Sequence, residues 1–450
     1  MSQVFLYFQE LFLYNSIFQI IKQIKNIAKQ TLERKLFSKM QQFVSYYYDI
    51  QKVLEENKTS ETSLSIDLSY KEISVQQTQN LSKFLYKCKN ISYLVLSLLG
   101  NKIGTEGTKA LGICLENCLN IKTLVLTLGM NKICDEGLIH LAKGLAQLKN
   151  MTYLAFYLVS NQIKAEGAQK LGESLGECSN LTTLTVSLND NKIGFAGAQK
   201  LVQGLSKCQK LTELVLEFMY NKLNDKDLSI GLALQNFQQL TKLSLNADKN
   251  QIGNLGAAAI GNSLVSLKNL SSLNLSLNEN NIDDEGFSQI CSCLQNMIKL
   301  QKLELYFSYN RIKSEGLLAF HSALINCETI KELIIFLDFN RIDNEGLFYL
   351  GSALSKCKRI LFLTIQLEYN YFDTQTLHKF KTQMEKSRSL LIYSFDLDIY
   401  ITNKNYQELI FDEDDVDDYI SDSQSDKESD SIDSIKENNN QQEDYQSILD

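Results

Sequence analysis

The chain has 450 residues, 44% of them hydrophobic and 22% charged, with a formal net charge of −8 at pH 7. A chain of this size can bury a large core without disulfides or metals. The acidic balance, with no dedicated motif, speaks against nucleic-acid binding.

Residues 1–60 carry no repeat. The stretch 4–21 is rich in Phe, Leu, Ile and Tyr but is interrupted by Gln9, Glu10, Asn15 and Gln19. It is too polar for a membrane span. No basic stretch precedes it, so a secretory signal is not expected. Helices that cover the open first end of a repeat stack are expected here, because solenoid ends need caps. The alternative is a partner-binding or membrane-surface helix, since Lys22, Lys25, Lys29, Arg34 and Lys35 follow the apolar run.

From residue 61 a fixed period takes over. Asn101, Asn131, Asn161, Asn191 and Asn221 fall 30 residues apart; after one unit short by a residue, Asn250, Asn280, Asn310, Asn340 and Asn370 resume the step. Such a period means stacked units, none able to bury its apolar face alone. Before each Asn, apolar residues alternate, as in Leu94, Leu96 and Leu98, or Leu184, Val186 and Leu188. That is the period of a strand with one buried face. After each Asn the period changes to four, as in Leu111/Leu115, Leu171/Leu175, Ile230/Leu234 and Leu350/Leu354, which predicts a helix.

Between strand and helix stand Gly107, Gly137, Gly167, Gly197, Gly256, Gly286, Gly316 and Gly346, each six residues after its Asn. Without a Cβ the chain can turn sharply there and lie close to the neighbouring unit. Glu106, Glu136, Glu166, Glu285, Glu315 and Glu345 precede the glycine, where the helix dipole favours a carboxylate. The Asn amide is both donor and acceptor, suited to satisfying backbone groups inside the stack. The unit between Asn221 and Asn250 is one residue short, with Asp227 in place of Gly and Ala247 at a core position, so a local break is expected there.

The unit resembles a leucine-rich repeat of the ribonuclease-inhibitor type, on Leu96-x-Leu98-x-x-Asn101-x-Ile103. The resemblance covers about residues 63–400, with a degenerate first unit and a last strand at 390–397. It implies an α/β solenoid, a horseshoe with a parallel concave sheet and convex helices. The strand carries two residues more than that repeat's pattern, so longer strands are expected.

Cys88, Cys118, Cys178, Cys208, Cys327 and Cys357 share one repeat position, which Leu148, Phe237, Leu267 and Met297 fill elsewhere. They read as buried free thiols of a reducing compartment. No His/Cys set has zinc spacing, and His140, His321 and His378 are scattered, so no metal or cofactor is expected. Asn-x-Ser/Thr sequons at Asn90, Asn150, Asn180 and Asn269 occupy one turn position before the strand and read as a turn consensus rather than glycan sites. The cytoplasm is the expected location, with the nucleus second.

Beyond residue 401 the composition changes. Residues 412–418 are almost all acidic, and 421–434 alternate Ser with Asp and Glu. High charge with low hydrophobicity predicts a disordered acidic tail over 401–450.

Outward-facing strand positions line the concave face. They include Tyr157, Glu217, Asn246, Glu304, Tyr306, Phe336 and Gln366, with Tyr220, Tyr309, Phe339 and Tyr369 at the strand ends. These aromatics are candidate interface anchors; lateral packing between strands is the competing explanation. Lys102, Lys132, Lys192, Lys222, Arg311 and Arg341 form a basic edge, read as solvated turn residues near Glu. No phosphate-binding Gly loop or nucleophile–base pair occurs, so an enzyme is not expected. The expected function is a monomeric protein–protein interaction scaffold that binds an unidentified partner through its concave face. One alternative is a GTPase regulator, since the layout is similar to the GTPase-activating protein for Ran. That family uses an Arg near its first repeats, and here no Arg occurs between Arg34 and Arg311. A cytoskeletal or ciliary structural role is the other alternative.

Overall fold

The computed structural model describes residues 45–56, 59–225, 234–385 and 392–396. Among these, thirteen strands form one parallel sheet in chain order. All but the first, Ser45–Tyr47, have five residues. Identical units place identical positions side by side, so Leu94, Leu124, Leu154, Leu184 and Leu214 stand in one row. Those side chains are buried, as are Leu98 and Ile103 of the first full unit. Leu111 and Leu115 of the helix Gly104–Leu115 close the core from the other side. Helices are wider than strands, so they take the outer, convex layer and leave the sheet concave. The chain is a leucine-rich-repeat solenoid.

The extra residues of the strand do not lengthen the strands themselves. They continue the hydrogen-bond ladder past them: Leu98 N–H donates to Thr127 O (2.8 Å) and Gly100 N–H to Gly129 O (3.0 Å). The residue before the Asn then turns into the left-handed region, as at Tyr220 (φ 55°) and Tyr309 (φ 57°).

At that turn the asparagine amides join one unit to the previous one. Asn191 Nδ2 donates to Leu158 O (3.0 Å) of the preceding unit and to Leu188 O (2.9 Å) of its own. Its Oδ1 accepts from the backbone N–H of Asn161 (3.0 Å) and Ile163 (2.9 Å). The pattern recurs from Asn101 to Asn370; eight of these side chains are buried, and Asn250 and Asn370 are half-buried.

Glutamates lie in the first helical turn as expected. A second device caps the helices across units. Asp225 Oδ1 accepts from Gly253 N (2.6 Å) and Gly256 N (3.0 Å); Asp284 does the same for Lys313 and Gly316. The glycines after the Asn make no turn. They sit inside the helix start, and closeness is their reason: a Cβ on Gly197 would lie 2.8 Å from Ala165 Cα.

The expected N-terminal helical segment differs in part. Ser45–Tyr47 is a strand that extends the sheet, paired with Ser63–Asp67, and the helix Ile50–Glu56 follows it. Its Ile50 and Val53 join the core. Residues 1–44, Asp227, Ile230 and the tail lie outside the described residues. The last strand, Ile392–Asp396, falls where one was expected. In the short unit the sheet is unbroken, with Glu213–Glu217 and Lys242–Asn246 paired position for position and Asn221 N–H donating to Asn250 Oδ1 (3.0 Å).

Candidate functional site

Strand alternation sends every second side chain away from the helices, and strict register collects these into rows across the concave face. The face divides in two. From Ser63–Asp67 to Thr183–Ser187 the outward positions hold Ser, Thr, Val, Tyr and Ala, with Asp67 as the one carboxylate. From Glu213 onward carboxylates recur: Glu213, Glu217, Asp248, Glu304, Glu332, Asp338 and Glu368. The lysines there are committed. Lys242 meets Glu213 at 2.7 Å, and Lys302 meets both Glu304 (2.7 Å) and Glu332 (2.6 Å).

Aromatic rings fill the same half. Tyr306 and Phe336 meet edge to face at 4.9 Å. At the strand-end rim, Tyr309, Phe339 and Tyr369 stack in a continuous row at 4.0 Å centroid spacing. Tyr309 is 45% exposed and Tyr220 41%. The rim also shows how it holds a cation: Lys249 lies 5.0 Å above the Tyr220 ring and 3.1 Å from Glu279. That combines a cation–π contact with an ion pair.

A row of polar side chains runs beneath the rim. Ser276 Oγ (2.7 Å) and Asn278 N–H (2.7 Å) donate to Asp248. Asn278 Oδ1 accepts from Ser308 N–H (2.8 Å), and Asp338 accepts from Glu368 N–H (2.8 Å) and Ser308 Oγ (3.2 Å). Burial pushes the carboxyls of Asp248 and Asp338 up to about 6 and raises that of Glu217. Burial also pushes the Tyr309 hydroxyl up to about 12, helped by Glu279, Asp338 and Glu368 nearby. Ser187 stands in register beside Glu217 with a buried hydroxyl that forms no well-made hydrogen bond.

The structure thus brings Tyr306, Tyr309, Phe336, Phe339 and Tyr369 together, with Tyr220 on the same rim nearer the middle of the stack. Tyr157 is a correction. It is buried, standing in register between Thr127 and Ser187, so it offers no open anchor on this part of the face. Two groups were missed. Asp248, Asp338 and Glu368 sit one alternation beyond the strands, and continuing the period of two would have found them. Phe362 is exposed at the strand start, and the same period points to it. On the basic edge, Lys102 has Glu72 at 3.9 Å.

Other repeated positions serve the stack. The Sγ–H of Cys118, Cys178 and Cys208 each donates to a carbonyl of the preceding unit, and Cys327 and Cys357 are only half-buried. The sequon amides of Asn150, Asn180 and Asn269 donate to carbonyls one unit back. No group of side chains suited to a metal ion occurs among the described residues. No described helix is long and apolar enough to cross a membrane.

No protein-family model and no curated protein matches the chain. Solved structures similar to it include an internalin from Listeria monocytogenes, 19% identical with a TM-score of 0.43, covering 76% of this chain and 88% of that one. An internalin C2 from the same organism is 22% identical with a TM-score of 0.32, covering 53% and 84%. Neither likeness carries a function to this chain.

Proposed function

We propose that the chain is a non-enzymatic scaffold that binds a protein partner through the C-terminal half of its concave face. The observation that carries this is the stacked aromatic row Tyr309–Phe339–Tyr369, exposed at Tyr309 and half-buried at Phe339 and Tyr369, with Tyr306 and Phe336 beside it and Tyr220 further along the rim. Stacked aromatics on an open face offer a large, rigid contact area with little entropy left to lose. The helical, roughly 30-residue unit supports the ribonuclease-inhibitor-like subtype. The proposed organisation is an N-terminal extension over 1–60, a solenoid over 61–400 and an acidic tail over 401–450. Free cysteines support a reducing compartment, the cytoplasm or nucleus, and a monomer without nucleic acid is the simplest state.

The test is capture from a native lysate with the wild-type chain and a Tyr309→Ala/Phe339→Ala/Tyr369→Ala variant of unchanged circular dichroism. A protein retained by the wild type and lost with the variant is the expected result. Identical captured sets would refute the concave aromatic row as the site.

A further inference from the structure

The charge on this face narrows the partner that the preceding reading calls for. Glu217, Asp248, Asp338 and Glu368 have no ammonium or guanidinium group within ion-pair distance among the described residues. The lysines of the face and rim are taken by Glu213, Glu279, Glu304 and Glu332. Neutral donors hold the three most enclosed: Asn189 on Glu217 (3.2 Å), Ser276 and Asn278 on Asp248, and Ser308 on Asp338. Enclosing a carboxylate with neutral donors alone leaves its charge uncompensated.

Two further features face the same way. The buried Ser187 hydroxyl beside Glu217 lacks a well-made hydrogen bond. The chain's own Lys249, between the Tyr220 ring and Glu279, shows this rim receiving a primary ammonium.

We propose that the partner segment docking on this face is cationic: an extended peptide crossing the strands, with Lys or Arg side chains directed at two acidic pairs. One pair is Glu217 and Asp248, on neighbouring strands; the other is Asp338 and Glu368, also on neighbours. Tyr306 stands on a strand between the pairs and Phe336 two residues before Asp338 on its own strand, and both contact the aliphatic stems. Three strand steps separate Asp248 from Asp338, about 14 Å at about 4.8 Å per step. An extended chain covers that in about four residues. The spacing therefore selects basic residues four apart, which also leave an extended peptide on one side.

Fluorescence anisotropy on the full-length chain tests this. The probe is a labelled peptide of about seven residues with two arginines four apart, and the control has glutamates at those positions. The arginine peptide should bind saturably, and the glutamate peptide should not. Asp338→Asn/Glu368→Gln should weaken the arginine peptide about tenfold. Glu368→Gln alone, on a half-exposed side chain, should act in the same direction without risk to folding. Neutralising Asp412, Asp414 and Asp415 controls for attraction by the acidic tail and should leave the concave-face effect in place. Equal binding of both peptides, or a loss that follows the tail variant and not the face variants, overturns the proposal. If the aromatic variant loses its captured protein while the charge variants leave peptide binding unchanged, the face is an interface but its partner is not cationic.

Discussion

Replacing Asn191 by Ala removes one amide and exposes the logic of the whole stack. The side chain is 5% exposed and makes five hydrogen bonds, three donated to carbonyls and two accepted from backbone N–H groups. Three of the five reach into the preceding unit. Leaving the N–H groups of Asn161 and Ile163 unpaired costs about 1–3 kcal/mol each. Water entering the space recovers part of that, so a loss of about 3 kcal/mol is expected. Leu184→Ala, a fully buried strand residue, gives the scale for a core deletion at about 2–5 kcal/mol. Asn191→Asp is the sharper variant. It keeps the acceptor but turns a carboxylate oxygen toward three carbonyls, so it should cost more than Ala. A repeat array need not unfold in one step, so denaturant midpoints should be paired with hydrogen exchange at Asn161 and Ile163. Exchange there should accelerate before that of distant units. A denaturation midpoint for Asn191→Ala within error of the wild type would falsify the ladder as a structural bond between units.

Other outcomes follow from the same geometry. Gly204→Ala puts a Cβ onto the backbone of Gly172 in the neighbouring helix and should cost about 1–3 kcal/mol. A thermal melt indistinguishable from that of the wild type would show that the helices are not so close. Asp248 and Asp338 have folded pKa values of about 6, above the usual carboxylate value, so folding favours their protonated forms. Their contribution is full below about pH 4 and is lost as pH rises through about 6, by roughly 2 kcal/mol each after allowing for partial exposure. Urea midpoints of Asp248→Asn/Asp338→Asn should therefore fall less between pH 5 and pH 8 than the wild type's, and parallel curves would contradict the burial. Burial pushes the thiols of Cys88 and Cys178 up to about 11 and those of Cys118 and Cys208 up to about 12. Native labelling near pH 8 should therefore be led by Cys134, all ten cysteines should react in denaturant, and intact mass should show no glycan. Majority resistance to labelling in denaturant would indicate disulfides instead.

The solenoid was legible because its demands repeat. A buried backbone turn asks for an amide in every unit, and only Asn recurs there. Alternation and the step of four mark the two layers for the same reason. The polar row beneath the rim was not legible, because its demand is a hydrogen bond rather than a residue type. Asn189, Asp248, Asn278, Ser308 and Asp338 all serve it, so no single letter recurs. Tyr157 was misplaced because alternation gives the direction of a side chain and not how far it is buried. The glycines were located correctly but for only half the right reason. Left-handed backbone falls elsewhere: in some units one or three residues after the Asn, as at Lys132 and Cys134, and just before the Asn, where Tyr, Phe, Lys and Glu adopt it.

That left-handed position separates what the stack needs from what the face is for. An L-residue there costs about 1–2 kcal/mol relative to glycine, and Asn or Asp would be favoured among the rest. Tyr309, Phe339 and Tyr369 are thus not the backbone's choice. Their stacking contributes about 0.5–1.5 kcal/mol per pair, enough to offset much of the conformational cost within the chain itself. The aromatic row can therefore persist without a partner. No such offset exists for Glu217, Asp248, Asp338 and Glu368. Enclosure raises the cost of charge on Glu217, Asp248 and Asp338, and no cation of the described residues reaches them. The N-terminal strands hold the same fold with Ser97, Thr127, Tyr157 and Ser187 in the row of Glu217, where Asp67 is the one carboxylate, and with Ser69, Leu99, Gly129, Val159 and Asn189 in the row of Asp248, Asp338 and Glu368. Asp248 and Asp338 do accept a backbone N–H of the next unit, but Asn189 and Asn278 fill that role without charge. The stack asks for an acceptor there and not for its charge, so the uncompensated carboxylates, more than the rings, carry the argument for a cationic partner.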